Sequence, residues 1–389
     1  MMRIVDIRER SVPLRGAISN SVVSFADHTV SLVAVISDVI RDGRPVAGVA
    51  FNSIGRFAQS GILRDRMIPR VLAAPPETLL DTDSGRIDPA RVLASAMRDE
   101  KPGGHGDRAA AAASIELACW DLLAKIDDVP AHAIIADHHG RQPNSAGVPV
   151  YAAGGYYRSD GDDRGLVDEV CGYLDAGYQA VKIKIGGAPL DEDRRRIEAV
   201  LSVVGDGGRL AVDANGRFDC ATALAYGQAL EPYRLRWYEE PVDPLDLRSH
   251  RELAGAYSGA LATGENLFSV GDTVNLLDFG GLRPDRDLLQ MDAGLSYGLT
   301  EYAAMIDLME QRGFDRRQAV PHGGHLINLH IVTGMGLGGC EAYPGVFAPF
   351  GGYTDDCAVV DGVITPGQRP GFGLEGKPGL DVEIGALLG

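Results

Sequence analysis

The chain has 389 residues with 37 Lys+Arg against 54 Asp+Glu, a formal charge of −17, which argues against a nucleic-acid binder. Fifty glycines and 21 prolines are an ordinary globular content, and the length suits one small domain plus one barrel-sized unit. The opening MMRIVDIRERSVPLRG alternates apolar and charged residues, so no signal or transit peptide is legible and a cytoplasmic location is expected. Apolar runs such as SLVAVI are far too short to cross a bilayer, so no membrane partner is expected. Cys119, Cys171, Cys220, Cys340 and Cys357 form an odd set without a C-x-x-C pair, which predicts reduced thiols.

In chain order, RIVDIRERSVPL and HTVSLVAVISDV read as strands of an antiparallel sheet. DRAAAAASIELACWDLLAKI, from Asp107, then reads as a helix. Strands followed by helices predict an α+β domain over residues 1–130. From 146 to 345 the rhythm becomes βα, with strand candidates VPVYAAG, QAVKIKIG, LAVDANG, RWYEEP, ALATGEN, LLQMDAG, QAVPHGG and GGCEAYP. Eight such units predict an α/β architecture of the (β/α)8 barrel type. The glycine- and proline-rich tail, 346–389, is expected to pack back on the first domain.

A polar or ionisable residue closes nearly every candidate strand, which is where barrel enzymes build their sites. The series is Lys182 and Lys184, Asp213, Glu239, Glu265, Asp292, His322 and Glu341, and from Lys184 to His322 the steps are 29, 26, 26, 27 and 30 residues. Asp213, Glu239 and Glu265 come from consecutive strands, so their carboxylates can converge near the axis. A hard divalent cation would relieve their repulsion, and all-oxygen ligation suits magnesium better than zinc. The bland alternative is that each acid caps the following helix. Lys182 and Lys184, two apart, share one face of a strand. Side by side, each disfavours the other's charge, which predicts a lowered pKa and a lysine able to act as base. His322 in AVPHGGHLINLH can be oriented by Asp292 as an acid/base pair, while His325 and His330 read as structural.

At these residues the chain resembles the mandelate racemase subgroup of the enolase superfamily. The resemblance rests on K-x-K, on the acids of VDANGR, WYEEP and ATGEN, on the Asp of LLQMDAG and on the His of VPHGG. The muconate-lactonising subgroup carries a strand-six lysine where this chain has Asp292. The stretches EKPGGHG, VYAAGGYY, KIGGAP, AVDANGRF, GLRPDRD, LSYGL and PHGGH resemble most closely the D-tartrate dehydratases.

The resemblance implies a modified barrel with an α+β capping domain completed by the tail. It implies Lys184 as the base that takes the α-proton, Lys182 as its electrostatic partner, and Asp213, Glu239 and Glu265 as magnesium ligands. His322, oriented by Asp292, would protonate the departing hydroxyl, and Glu341 would hydrogen-bond beside the substrate carboxylate. Asn20, Lys101, Asn215 and Tyr156 would contact substrate, Lys101 at the distal carboxylate. Where the resemblance leads to FNSNGR this chain reads FNSIGR, with Ile54 in place of an amide. The implied activity is a lyase step on a 2,3-dihydroxy acid, D-tartrate to oxaloacetate. Dehydration of another acid sugar, 2-hydroxy-acid racemisation or epimerisation, and a non-catalytic ligand-binding barrel are the alternatives. A small-molecule hydroxy acid is the expected partner, and a homo-oligomer the expected assembly.

Overall fold

The computed structural model describes residues 2–16, 18–157 and 163–389. Three strands, β1 (Ile4–Pro13), β2 (Thr29–Arg41) and β3 (Arg44–Phe51), pair antiparallel in that order. Arg41 pairs with Arg44, so Asp42 and Gly43 alone form the turn, with φ of 50° and 75°. Those two positive values identify the primed turn that matches strand twist. The helix Asp107–Asp127 packs across β2 and β3. Gly48 permits this approach, because a Cβ there would stand 2.0 Å from the Ala118 carbonyl oxygen. The buried Asp121 carboxylate on the same helix accepts the amides of Val49 at 2.7 Å and Phe372 at 2.6 Å.

The second unit is a ring of parallel strands. β4 (Val148–Gly154), β5 (Val181–Lys184), β6 (Leu210–Asp213), β7 (Tyr238–Glu239), β8 (Leu261–Thr263) and β9 (Leu288–Leu289) lie side by side, and β10 (Cys340–Ala342) pairs back onto β4. The seventh expected strand, QAVPHGG, is reduced to a bridge between Leu289 and Ala319. Amide bonds from Val320 to Leu289 O at 2.9 Å and from His322 to Gln290 O at 3.1 Å extend it, and Gly338 N to Ala319 O at 3.0 Å joins it toward β10. Helices such as Leu190–Val204, Cys220–Leu230 and Leu299–Gln311 occupy the crossovers. The mixed α/β fold, a modified barrel beside an antiparallel sheet, is the predicted class.

The tail divides its contacts between the two units. β11 (Val359–Val360) and β12 (Val363–Ile364) form a hairpin whose second strand pairs antiparallel with β4. Beyond it the helix Leu380–Leu388 lies against β1, where Arg8 donates to Leu388 O at 2.7 Å and Arg10 pairs with Glu383 at 2.9 Å. All five cysteines are free thiols. Among the described residues no helix is long and apolar enough to cross a membrane.

Candidate active site

The barrel strands end where their side chains turn from apolar to ionisable, and the helix caps lie further on. Asp219, Asp246 and Ser269 accept the amides of Thr222, Ser249 and Asp272 and cap the helices after β6, β7 and β8. Asp213, Glu239 and Glu265 are therefore free of the capping role and remain available at the strand ends.

Register explains how the lysines and acids meet. Lys184 pairs with Asp213 across β5 and β6, and Asp213 with Glu239 across β6 and β7, so all three face one side of the sheet. Lys184 Nζ lies 2.5 Å from Asp213 Oδ2, and Lys182 Nζ lies 3.4 Å from the same oxygen. Lys182 also pairs with Glu239 Oε1 and, at 2.7 Å, with Glu341. The other oxygen of Glu239 accepts Trp237 Nε1 and Gln290 Nε2, both at 2.8 Å. All these charged groups are buried.

This arrangement corrects one expectation. Burial works against both ammonium groups, yet Asp213 outweighs it at Lys184, and Glu239 and Glu341 outweigh it at Lys182, so both pKa values are raised. Mutual repulsion would lower them only if no carboxylate stood between, and Asp213 stands there. Conversely, burial opposes the charge of Asp213, but Lys184 and Lys182 hold it below the usual carboxylate range. Burial, with the charge of Asp213, pushes Glu239 up.

Across the ring, His322 Nδ1 lies 3.3 Å from Asp292 Oδ2. Its Nε2 is 3.0 Å from the Tyr343 hydroxyl and 3.9 Å from Glu265. Burial would depress this imidazole, but Glu265, Asp292 and Glu341 raise its pKa to about 9. Glu341 accepts the amide of Gly323 at 2.9 Å, and burial opposes its charge while Lys182 holds it below the usual range. His325 caps the helix Leu326–Met335, meets Ser53 Oγ at 3.0 Å and is lowered to about 4 by burial. His330 packs against His132, with 3.2 Å between their Nδ1 atoms.

A cavity of about 330 Å3 opens over these groups. The barrel contributes Lys184, Glu265, His322, Asn215 and Tyr156 to its wall, and the first unit contributes Asn20, Val22, Val23, Phe25, Ile54 and Arg56. The loop at Asn20 is an Asx turn, its Oδ1 accepting the amides of Val22 at 2.8 Å and Val23 at 2.7 Å, and Ser21 Oγ donates to Ala214 O at 3.1 Å. Lys182, Asp213, Glu239, Asp292 and Glu341 are buried and do not line the cavity, but Asp213 touches Lys184 and Asp292 touches His322, which do. Lys101 stands apart. It is exposed and absent from the wall, because Arg108 draws in the carbonyl oxygens of Lys101 and Gly103.

Sequence reasoning missed Tyr343, Gln290, Arg56 and Glu240. Glu240 was visible in the doubled acid of WYEEP. It lines the cavity, Asn266 Nδ2 donates to its two oxygens at 2.9 and 3.2 Å, and burial with the nearby Glu265 raises its pKa. The donor set of Asp213, Glu239 and Glu265 is all oxygen, as a hard divalent cation requires. The side-chain oxygen Oδ1 of Asn215 is a further buried acceptor, without a partner among the described residues. Among the described residues no three ligating side chains are gathered into a cage, since the lysines now serve as counter-ions to Asp213 and Glu239. The residues present fit magnesium by donor chemistry.

The profile of the family described as enolase C-terminal domain-like matches residues 165–379. Relatives include L-talarate/galactarate dehydratase of Salmonella typhimurium, 29% identical over 84% of this chain and 77% of that protein. Arabinonate dehydratase of Saccharolobus solfataricus is 28% identical over 60% of each chain. A racemase from Streptomyces coelicolor A3(2), solved with bound magnesium, shares the fold with a TM-score of 0.78 at 23% identity, over 100% of this chain and 99% of that one.

Proposed function

This chain belongs to the enolase superfamily, in its mandelate racemase subgroup, and from that premise we propose that it is a magnesium-dependent acid-sugar dehydratase acting on D-tartrate. The observation that carries the reading is that Lys184 and His322, an amine and an imidazole with carboxylate partners, line one cavity from separate strand ends. Dehydratases among the relatives support the reaction class, and the resemblance of blocks such as EKPGGHG and PHGGH to the D-tartrate dehydratases is what points to the substrate.

Asp213, Glu239 and Glu265 would hold the magnesium, which when bound supplies positive charge against the substrate carboxylate. With Asp213 engaged as a magnesium ligand its hold on the Lys184 ammonium would weaken, and Lys184 Nζ, in its neutral form, takes the α-proton while the C–H electron pair moves into the carboxylate to give an enediolate. The Lys182 ammonium, one layer below the cavity, adds positive charge beneath the developing dianion. His322 then donates a proton to the β-hydroxyl, the C–O bond breaks and water leaves. The resulting enol takes a proton at carbon, releases the proton of its enol oxygen and becomes the 2-keto acid, oxaloacetate from tartrate. Asp292 holds the imidazole in place for that donation and, being fully buried, keeps one orientation. Ile54, buried, lines the wall facing these groups with apolar surface, while Val22 and Val23 on the same wall are exposed.

The test is turnover of D-, L- and meso-tartrate and of a panel of aldonic and aldaric acids by the magnesium-loaded protein. Oxaloacetate from D-tartrate supports the assignment, and a 2-keto acid only from another sugar acid keeps the reaction while displacing the substrate. A second reading, racemisation, is favoured by the same pair of groups: a proton removed by Lys184 could be returned by His322. Solvent deuterium at the α-carbon with inversion and without keto acid would select it.

A further inference from the structure

The cations that the barrel supplies to the cavity wall are already matched. Lys184 has Asp213 at 2.5 Å and His322 has Asp292 at 3.3 Å. Arg56 differs. It enters from the turn that follows β3, lines the same cavity, and among the described residues has no carboxylate partner. Its Nη2 donates to the neutral Oδ1 of Asn266 at 2.7 Å, and its guanidinium lies 4.9 Å from the centre of the Phe268 ring. Asn266 cannot easily turn away, since its Nδ2 is engaged by both oxygens of Glu240. The guanidinium is thus held at two points, with donors left over and no charge to satisfy them.

Its position is chemically specific. A Cβ on Gly55 would stand only 3.8 Å from Cε1 of His322, so the Arg56 turn sits beside the imidazole that faces the departing β-hydroxyl. A second carboxylate carried by the β-carbon of a four-carbon diacid belongs on that side. Ile54, two residues before Arg56 in the same wall, is apolar and buried and offers such a group nothing. Lys101, expected from the sequence to take this role, is at the surface.

We propose that Arg56 binds the second carboxylate of a diacid substrate, and that through it the enzyme selects aldaric over aldonic acids. This rests on the reading of the cavity as an acid-sugar site, and it decides a point that relatives acting on both kinds of acid leave open.

The experiment is calorimetric titration of the magnesium-loaded wild type, Arg56→Gln and Arg56→Lys with D-malate and D-2-hydroxybutyrate. These differ only by a carboxylate against a methyl group, and, bound through the 2-hydroxy carboxylate, neither carries a hydroxyl on its β-carbon. The wild type is expected to favour malate, and Arg56→Gln to reduce the malate-to-hydroxybutyrate affinity ratio by about 10- to 100-fold, the worth of a charge-assisted pair. Arg56→Lys should retain part of it. An unchanged ratio in Arg56→Gln, or no preference in the wild type, would overturn the proposal. A ratio that behaves as expected while no acid sugar gives a keto acid would instead remove the dehydratase reading and leave Arg56 as the diacid contact.

Discussion

Glu116 is fully buried in the helix Asp107–Asp127, yet it reaches across to the barrel. Its carboxylate accepts Trp120 Nε1 at 2.9 Å, the amides of Leu299 at 2.9 Å and Thr300 at 3.0 Å, and the Thr300 hydroxyl at 2.6 Å. Two of those donors are the first free amides of the helix Leu299–Gln311, whose own N-cap, Gly298, offers no side chain. Glu116 therefore caps that helix from the other unit and pins the turn Asp292–Gly298 behind His322. Glu116→Ala leaves four donors without an acceptor, two buried and two, on Thr300, half-buried. At about 1–3 kcal/mol per orphaned donor, offset by relief of a buried carboxylate's desolvation, the net loss should be about 3–5 kcal/mol. Glu116→Gln keeps the shape and one acceptor oxygen and should cost about 1–2 kcal/mol. Urea unfolding at neutral pH measures both, and turnover by the folded variants should fall as the Asp292 turn loosens. Were Glu116→Ala to unfold within about 0.5 kcal/mol of wild type, the bridging role would be wrong.

Two further outcomes are expected. Magnesium affinity measured by titration should fall about 100-fold or more in Glu239→Gln and about 10-fold in Glu240→Gln, the difference between a ligand and a neighbour of a ligand; the reverse order would reassign the second strand-end acid. Burial lowers the pKa of both His132 and His330, so each stays neutral in the fold, and His330 Nδ1 accepts the His132 amide at 3.2 Å. For a base with a depressed folded pKa, stability is complete above the unfolded value near 6.5 and is lost as pH falls below it. His330→Gln should therefore flatten the decline of unfolding free energy between pH 6 and 5 by about 1.4 kcal/mol per pH unit, the contribution of one proton. Parallel curves would refute this.

The barrel was legible because each βα unit carries its own local signal, a short β-branched run closed by a polar residue and followed by a helix. QAVPHGG carries the same signal and forms only a bridge, since Pro321 has no amide to donate and the glycines after His322 turn the chain away. The acids were readable by spacing, and capping by Asp219, Asp246 and Ser269 was not, because a cap is recognised only once the helix start is fixed. Lysine electrostatics were misread for a three-dimensional reason: Asp213, 29 residues beyond Lys184, sits between the two ammonium groups. Arg56 was illegible for the same reason, its partner Asn266 being 210 residues away. Lys101 drew attention through the glycine-rich block around it, but those glycines bend the chain so that Arg108 binds its backbone.

The division of labour between Lys184 and His322 is the central claim, and deuterium incorporation at the α-carbon of D-tartrate separates the two roles. In heavy water with magnesium, His322→Asn should exchange the α-proton while forming no oxaloacetate, and Lys184→Ala should do neither. Exchange that survives in Lys184→Ala, or disappears together with dehydration in a folded, tartrate-binding His322→Asn, would contradict it.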